Sequence, residues 1–311
     1  MDFSPVKLIP AYKDYLWGGK KLETLFGKKS GLEKTAESWE LSAHKDGQST
    51  ISGGGFDGLK FLEYIEKNKG CLGENAERFD FFPILIKFID AEDNLSIQVH
   101  PDDEYALKNE GEYGKTEVWY VLNCEEVSYL YYGFNRTVTK EELEKRIANN
   151  TILDVLNKVS VKKGDVFFIE AGTVHAIGKG MVICEIQQNS NTTYRVYDYD
   201  RRDKSGNARE LHVEKAVEVA RLTPSENYIS ENKNIIAKCK YFTSEILSVA
   251  ESAELEITDK CFKSVIVTEG AGTLLLNEKE LEFKAGESIF IPAQNSIAKI
   301  KGKCELIISY V

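Results

Sequence analysis

The segment KGDVFFIEAGTVHAI, from Lys163 to Ile177, is echoed by KAGESIFIPAQNSIAKI, from Lys284 to Ile300, when Gly164 is laid on Gly286. Each copy reads as a turn, an apolar strand, a short loop and a second apolar strand, so the echo predicts two copies of one β-barrel module. Other runs, among them FFPILIKFI, LSIQVH, VWYVLN, VSYLYYGF, MVICEIQ, KSVIVTEG, GTLLLNEK and CELIISYV, are short, rich in Val, Ile, Phe and Tyr, and punctuated by Gly. That spacing predicts a mostly-β sandwich or barrel. A few helices interrupt it. In LHVEKAVEVARL, Val213, Ala216, Val217 and Ala220 share one helical face, and Thr139 with Glu142 makes a capping box ahead of Leu143 and Ile147. Asp57 to Lys67 and Pro101 to Asn109 also read as helical. The helix near 212–222 and the polar stretch TPSENYISENKN form the joint, which divides the chain into residues 1–225 and 226–311.

With 311 residues, 42% of them hydrophobic and 11% aromatic, the chain has material for two packed cores. A formal charge of -10 disfavours a nucleic-acid partner, because phosphate backbones are held by clustered Lys and Arg. No apolar run is long enough to cross a bilayer, and the opening MDFSPVKLIPAYKDYLWGG lacks the apolar core of a secretory signal, so a cytoplasmic protein is expected. The cysteines Cys71, Cys124, Cys184, Cys239, Cys261 and Cys304 form no CxxC pair and are expected to be free thiols.

Laying the two copies together puts His175 opposite Ile297, which assigns the chemistry to the first barrel. In LSIQVHPD, Ser96, Gln98 and His100 alternate along a strand and point one way, while Leu95, Ile97 and Val99 face the core. Polar groups lined up on an inner face cost desolvation energy unless a partner such as a metal ion satisfies them. Lys115 and Glu117 in YGKTEVWYVL likewise share a face. With His100 and with His175 of AGTVHAIG, Glu117 would complete the two-histidine, one-carboxylate set that catalytic zinc uses. His44 and His212 read as structural hydrogen-bonding or capping residues.

The strings AESWELSAH (36–44), LSIQVHPDD (95–103), GKTEVWYVL (114–122), AGTVHAIG (171–178) and NSNTTYRVYDYDR (189–201) resemble those of class I mannose-6-phosphate isomerases in their short bacterial form. The resemblance implies a double cupin, two jelly-roll barrels with helices inserted in and after the first, the second barrel lacking metal ligands. It implies one zinc ion per chain on Gln98, His100, Glu117 and His175, with Arg195 and Lys115 in the catalytic site. It also implies that Lys87 and Ser96 contact the substrate phosphate. Longer eukaryotic members carry a lysine six residues after the arginine matching Arg195; Arg201 stands there in this chain and is a weaker candidate for substrate contact. The implied activity is the interconversion of mannose 6-phosphate and fructose 6-phosphate through an enediolate, with no protein partner implied. An iron-dependent cupin oxygenase and a non-catalytic sugar-binding cupin are the competing readings, the first fitting Gln98 less well and the second needing no Arg or Lys at the metal.

Overall fold

Alternation of side chains along short strands sorts the chain into antiparallel sheets, each with one face turned to a core. The computed structural model describes residues 3–202, 205–226 and 234–311, and strands account for 44% of the chain against 16% for helices. The expected joint TPSENYISENKN runs into residues 227–233, which lie outside the described residues.

The first barrel consists of two facing sheets. One has five strands in the order Leu156–Ser160, Tyr129–Phe134, His175–Ile177, Ile97–Val99, Tyr194–Tyr197. The other has six, in the order Val166–Ile169, Glu117–Cys124, Met181–Gln188, Ile84–Ala91, Glu37–Leu41, Ala11–Lys13. Neighbouring strands are far apart in sequence, as a jelly roll requires. The outer face of the five-stranded sheet buries Ile97, Val99, Tyr194 and Val196 against Leu143 and Ile147 of the helix Lys140–Ala148 and Ala216 and Val217 of the helix Val213–Val219. Because two helices cover that apolar face, the inner face is free to carry polar side chains.

The second barrel is built on a nine-stranded sheet that includes Lys263–Leu276, Ser288–Ile291 and Ser296–Tyr310. Two strands from the start of the chain extend it: Val6–Ile9 pairs with Ser288–Ile291, Val6 lying opposite Phe290, and Thr50–Ser52 pairs with Val6–Ile9 in turn. The two halves of the chain thus share one sheet. The sequence echo has a matching geometry. Gly164 and Gly286 both take a left-handed backbone (φ 85 and 87) just ahead of Val166–Ile169 and Ser288–Ile291. At Gly286 an added Cβ would come within 2.6 Å of Phe26 O, so side chain and conformation are both excluded there.

Half of the expected capping box forms: the Glu142 amide donates to Thr139 Oγ1 at 3.2 Å, while the Glu142 carboxylate accepts from Arg136 and Arg146. The helix expected after Pro101 runs over Asp103–Asn109, capped by the Asp102 carboxylate, which accepts from the Tyr105 amide. The helix expected from Asp57 begins at Phe61, because Gly58 adopts φ 80 and an αL residue interrupts the helical ladder. All six cysteines are free. Among the described residues, no helix is long and apolar enough to cross a membrane.

Candidate functional site

Two rows of cross-strand neighbours line the inside of the first barrel. On the five-stranded sheet His175 lies opposite Gln98, and Gln98 opposite Arg195. On the six-stranded sheet Trp39 pairs with Lys87, Lys87 with Glu185, and Glu185 with Trp119. Register thus brings to one place residues that are widely separated along the chain. His100 follows the end of its strand, and Lys115 lies two residues ahead of Glu117, which opens the next.

His100, Glu117 and His175 are all buried, and their ligating atoms lie within 4.8 Å of one another. His175 Nδ1 donates to Thr173 O at 2.8 Å and His100 Nδ1 to Thr192 O at 2.9 Å, which leaves each Nε2 as an acceptor facing inward, toward the Gln98 amide and the Lys115 ammonium respectively. Burial first, and for His100 the Lys115 charge next, depress both imidazoles: His175 to about 4 and His100 well below the ordinary histidine value. Both rings are therefore neutral near pH 7. His175 Nε2 lies 3.4 Å from Glu117 Oε1, and His100 Nε2 lies 3.8 Å from Glu117 Oε2. Neither Glu117 oxygen has a hydrogen bond of good geometry, although the Lys115 ammonium stands 2.6 Å from Oε2 as a charge contact. Lone pairs that face a carboxylate at this range repel one another, and a cation among them would reverse the sign. Gln98 Nε2 lies 3.4 Å from His175 Nε2; turning the amide over would present its oxygen to the same point.

The surrounding charges point the same way. Lys87 Nζ lies 3.6 Å from Glu37 and 3.4 Å from Glu185, while Lys115 Nζ lies 3.5 Å from Glu185 and 3.2 Å from His100 Nε2. Trp119 donates to Glu185 at 2.9 Å and Trp39 to Glu37 at 2.6 Å. Burial works against the Lys87 ammonium, but Glu37 and Glu185 outweigh it and hold its pKa above the usual lysine value. Burial and the neighbouring Glu185 charge push Glu117 up to about 7, against the pull of Lys115. Glu185 is held below the ordinary carboxylate value, the charges of Lys115 and Lys87 overcoming its burial. Three buried carboxylates thus crowd two ammoniums, and a cation beside Glu117 would offset the burial and repulsion that raise its pKa. The donor set, two imidazole nitrogens, a carboxylate and an amide, fits a divalent cation of borderline softness.

A cavity of about 260 Å³ opens from this cluster, lined among others by Lys87, Ser96, Gln98, Lys115, Glu185, Arg195 and Arg209. A larger cleft of about 480 Å³ lies beside Phe79, Phe81 and Phe82, but its walls are mainly apolar and its Glu112 is already paired with Lys45. The chemistry singles out the smaller one.

All the expected site residues except Arg201 gather around this cavity and the three buried ligands. Arg201 instead donates to Asn94 O and to Asp198, both at 2.5 Å, and approaches Asp93. Glu37, Glu185 and Arg209 belong to the site and were not anticipated. The signal for Glu185 was a lone charge inside the apolar strand MVICEIQ. His212, expected to be structural, accepts from the Arg195 amide through Nδ1 at 3.1 Å. His44 Nδ1 accepts from the Asp46 amide, and its Nε2 lies 3.4 Å from Glu112.

The catalytic domain of type I phosphomannose isomerases matches residues 6–120, and the cupin domain of mannose-6-phosphate isomerases matches residues 231–311. The chain is 39% identical over 321 residues to the mannose-6-phosphate isomerase ManA of Bacillus subtilis, with both chains covered completely. It is 36% identical over 302 residues to the mannose-6-phosphate isomerase of Streptococcus mutans, covering 95% of this chain and 94% of the other. A crystal structure of mannose 6-phosphate isomerase from Bacillus subtilis superposes with a TM-score of 0.91 at 38% identity, covering 99% of this chain and all of that one.

Proposed function

The chain belongs to the type I phosphomannose isomerases, and from that premise we propose that it interconverts mannose 6-phosphate and fructose 6-phosphate with one zinc ion held by Gln98, His100, Glu117 and His175. One observation carries the reading. Two imidazoles, each fixed by a carbonyl behind its ring, turn Nε2 toward a buried carboxylate that has no well-formed hydrogen bond, at the head of a cavity that also holds Lys115 and Arg195. Neither an oxygenase nor a simple sugar binder calls for those last two residues.

Isomerisation moves a proton from C2 of the aldose to C1 of the ketose through an enediolate. Bound zinc would polarise the carbonyl and offset the charge that develops on the oxygens. Arg195, in the row with His175 and Gln98, donates charge-assisted hydrogen bonds to the same oxygens. Lys115 Nζ holds the proton in transit, steadied between Glu117 and Glu185. Ser96 and Lys87 serve the phosphorylated end, and Arg201 adds positive charge from behind Asp198. We assign this chemistry to residues 1–225 and a supporting barrel to 226–311, where Ile297, the counterpart of His175, is exposed. We read the enzyme as cytoplasmic.

The test is a coupled assay of mannose 6-phosphate and fructose 6-phosphate interconversion, run on metal-stripped and zinc-reconstituted protein. Turnover should be absent from the first and present in the second. A fully reconstituted protein that converts neither sugar phosphate overturns the reading.

A further inference from the structure

The segment Arg209–His212 is laced to Arg195. The Arg195 amide donates to His212 Nδ1 at 3.1 Å, the His212 amide returns a bond to Arg195 O at 2.8 Å, and Arg195 Nη1 donates to Glu210 O at 2.9 Å. Those three bonds bring a second guanidinium, Arg209, to the wall of the same cavity as Arg195, Ser96 and Lys87. We propose that Arg209 is a second cationic contact for the phosphate of the substrate, held in place for it by Asp198.

Three facts support this assignment, which rests on the isomerase reading. First, Asp198 is buried and grips Arg209 along one edge of its fork, accepting from Nε at 2.7 Å and Nη2 at 2.5 Å. Among the described residues no hydrogen bond engages Nη1. A guanidinium clamped on one edge offers the other edge to an incoming anion at little cost in ordering. Second, the charges along the cavity are unequally matched. Lys87 and Lys115 are paired with Glu37, Glu117 and Glu185, whereas Arg201 and Arg209 share the buried Asp198, Arg201 reaches Asp93 besides, and Arg195 has no ion pair of its own among the described residues. The surplus of positive charge lies with the arginines beside Ser96, where a phosphate dianion would neutralise it. Third, Arg195 Nε donates to Ser96 Oγ, so the hydroxyl expected to meet phosphate sits at that same end. Burial and then the Arg209 charge lower the Arg195 pKa, which agrees with two guanidiniums set close together. Arg201 turns the other way, to Asn94 and Asp93, and its contact with Asp198 braces the clamp.

The zinc-loaded enzyme and its Arg209→Gln, Arg209→Lys and Arg202→Gln variants would be compared by steady-state kinetics and by calorimetric titration with inorganic phosphate. Loss of a charge-assisted contact should raise the KM of Arg209→Gln for mannose 6-phosphate by about tenfold or more while kcat holds within about threefold. Phosphate binding should weaken by a similar factor. Arg209→Lys should fall in between, and Arg202→Gln, which removes the same charge from an exposed neighbour, should leave both quantities unchanged. Unaltered KM and phosphate binding in Arg209→Gln overturn the proposal. So does a fall in kcat at constant KM, since Arg209 would then act only by positioning Arg195. Phosphate binding is read without turnover, so a parent enzyme that binds phosphate through Arg209 but isomerises nothing would refute the isomerase reading and leave this contact standing.

Discussion

His100 and His175 each commit Nδ1 to a backbone carbonyl, Thr192 O and Thr173 O, and this fixes both the ring orientation and the tautomer before any ligand arrives. A side chain held that way contributes to metal affinity chiefly by being in place, so its deletion cannot be made good by a neighbour. His175→Ala should therefore lose most of its zinc and its activity together, measured by metal analysis and the coupled assay on the same sample. Arg195→Ala should instead keep one zinc per chain and lose roughly 10²- to 10³-fold in kcat, as removal of a donor to a developing oxyanion does. Near-normal turnover in Arg195→Ala would end its electrostatic role. The two mutants separate residues that were differently legible in the sequence. His100 and Gln98 announced themselves by alternation, since polar residues interleaved with Ile97 and Val99 must all face one way. Glu185 and Arg209 did not, because what makes them functional is their partners. Glu185 meets Lys87 through strand register, and Arg209 is brought to the cavity by its bonds to Asp198 and by the bonds of its neighbours Glu210 and His212 to Arg195, and neither relation is written in local spacing.

At the scale of elements, the loop at 189–193 connects the metal cluster to the rest of the barrel. It carries the Thr192 carbonyl that orients His100, and Glu112 holds it from outside: one carboxylate oxygen accepts from the Asn191 amide at 3.1 Å and from Thr192 Oγ1 at 3.4 Å. The other oxygen meets Lys45 at 2.7 Å and His44 at 3.4 Å. Burial opposes the Glu112 charge, but Lys45 and the Asn191 amide more than offset it and keep its pKa below the ordinary carboxylate value. Glu112→Ala should thus free the loop and weaken zinc binding about 10-fold or more, the usual scale for a lost outer-shell partner. Competition with a chelator measures this, and kcat at saturating zinc should largely recover. Glu112→Gln, which keeps an acceptor for Asn191, should lie closer to the parent; unchanged zinc affinity in Glu112→Ala would show that the loop is held by other means. The sequence announced the helix Lys140–Ala148 through its cap, Thr139, and the helix Asp103–Asn109 through Pro101 and the acidic residues after it, because such end signals are local relations. It gave no sign of the Glu112 contacts, where the partner lies 79 residues away.

At the scale of the whole molecule, the echo between 163–177 and 284–300 revealed two barrels but not how they are joined. The division expected at 225/226 does not separate the sheets, since Val6–Ile9 and Thr50–Ser52 lie in the sheet of the second barrel. The outer face of the six-stranded sheet also shares one apolar core with that barrel. Phe61 packs on Phe290 at 5.0 Å between ring centroids, Phe82 on Phe262 at 5.5 Å, and Phe262 on Phe290 at 5.4 Å, all among buried residues of both halves. A core with aromatic rings from both sides cannot come apart without exposing each, so the chain should unfold as one cooperative unit despite its two barrels. Phe290→Ala tests this, because it cuts the second barrel's contribution at the centre of the shared core. The loss should be about 3–5 kcal/mol, the range for emptying a buried aromatic site. The metal site, in the other barrel, should melt at the same lowered temperature as the bulk fold. The measurement is a thermal scan following far-ultraviolet circular dichroism and zinc release on one sample. Coincident curves shifted down together are expected; a zinc-release curve left at the parent temperature would mean that the catalytic barrel stands on its own.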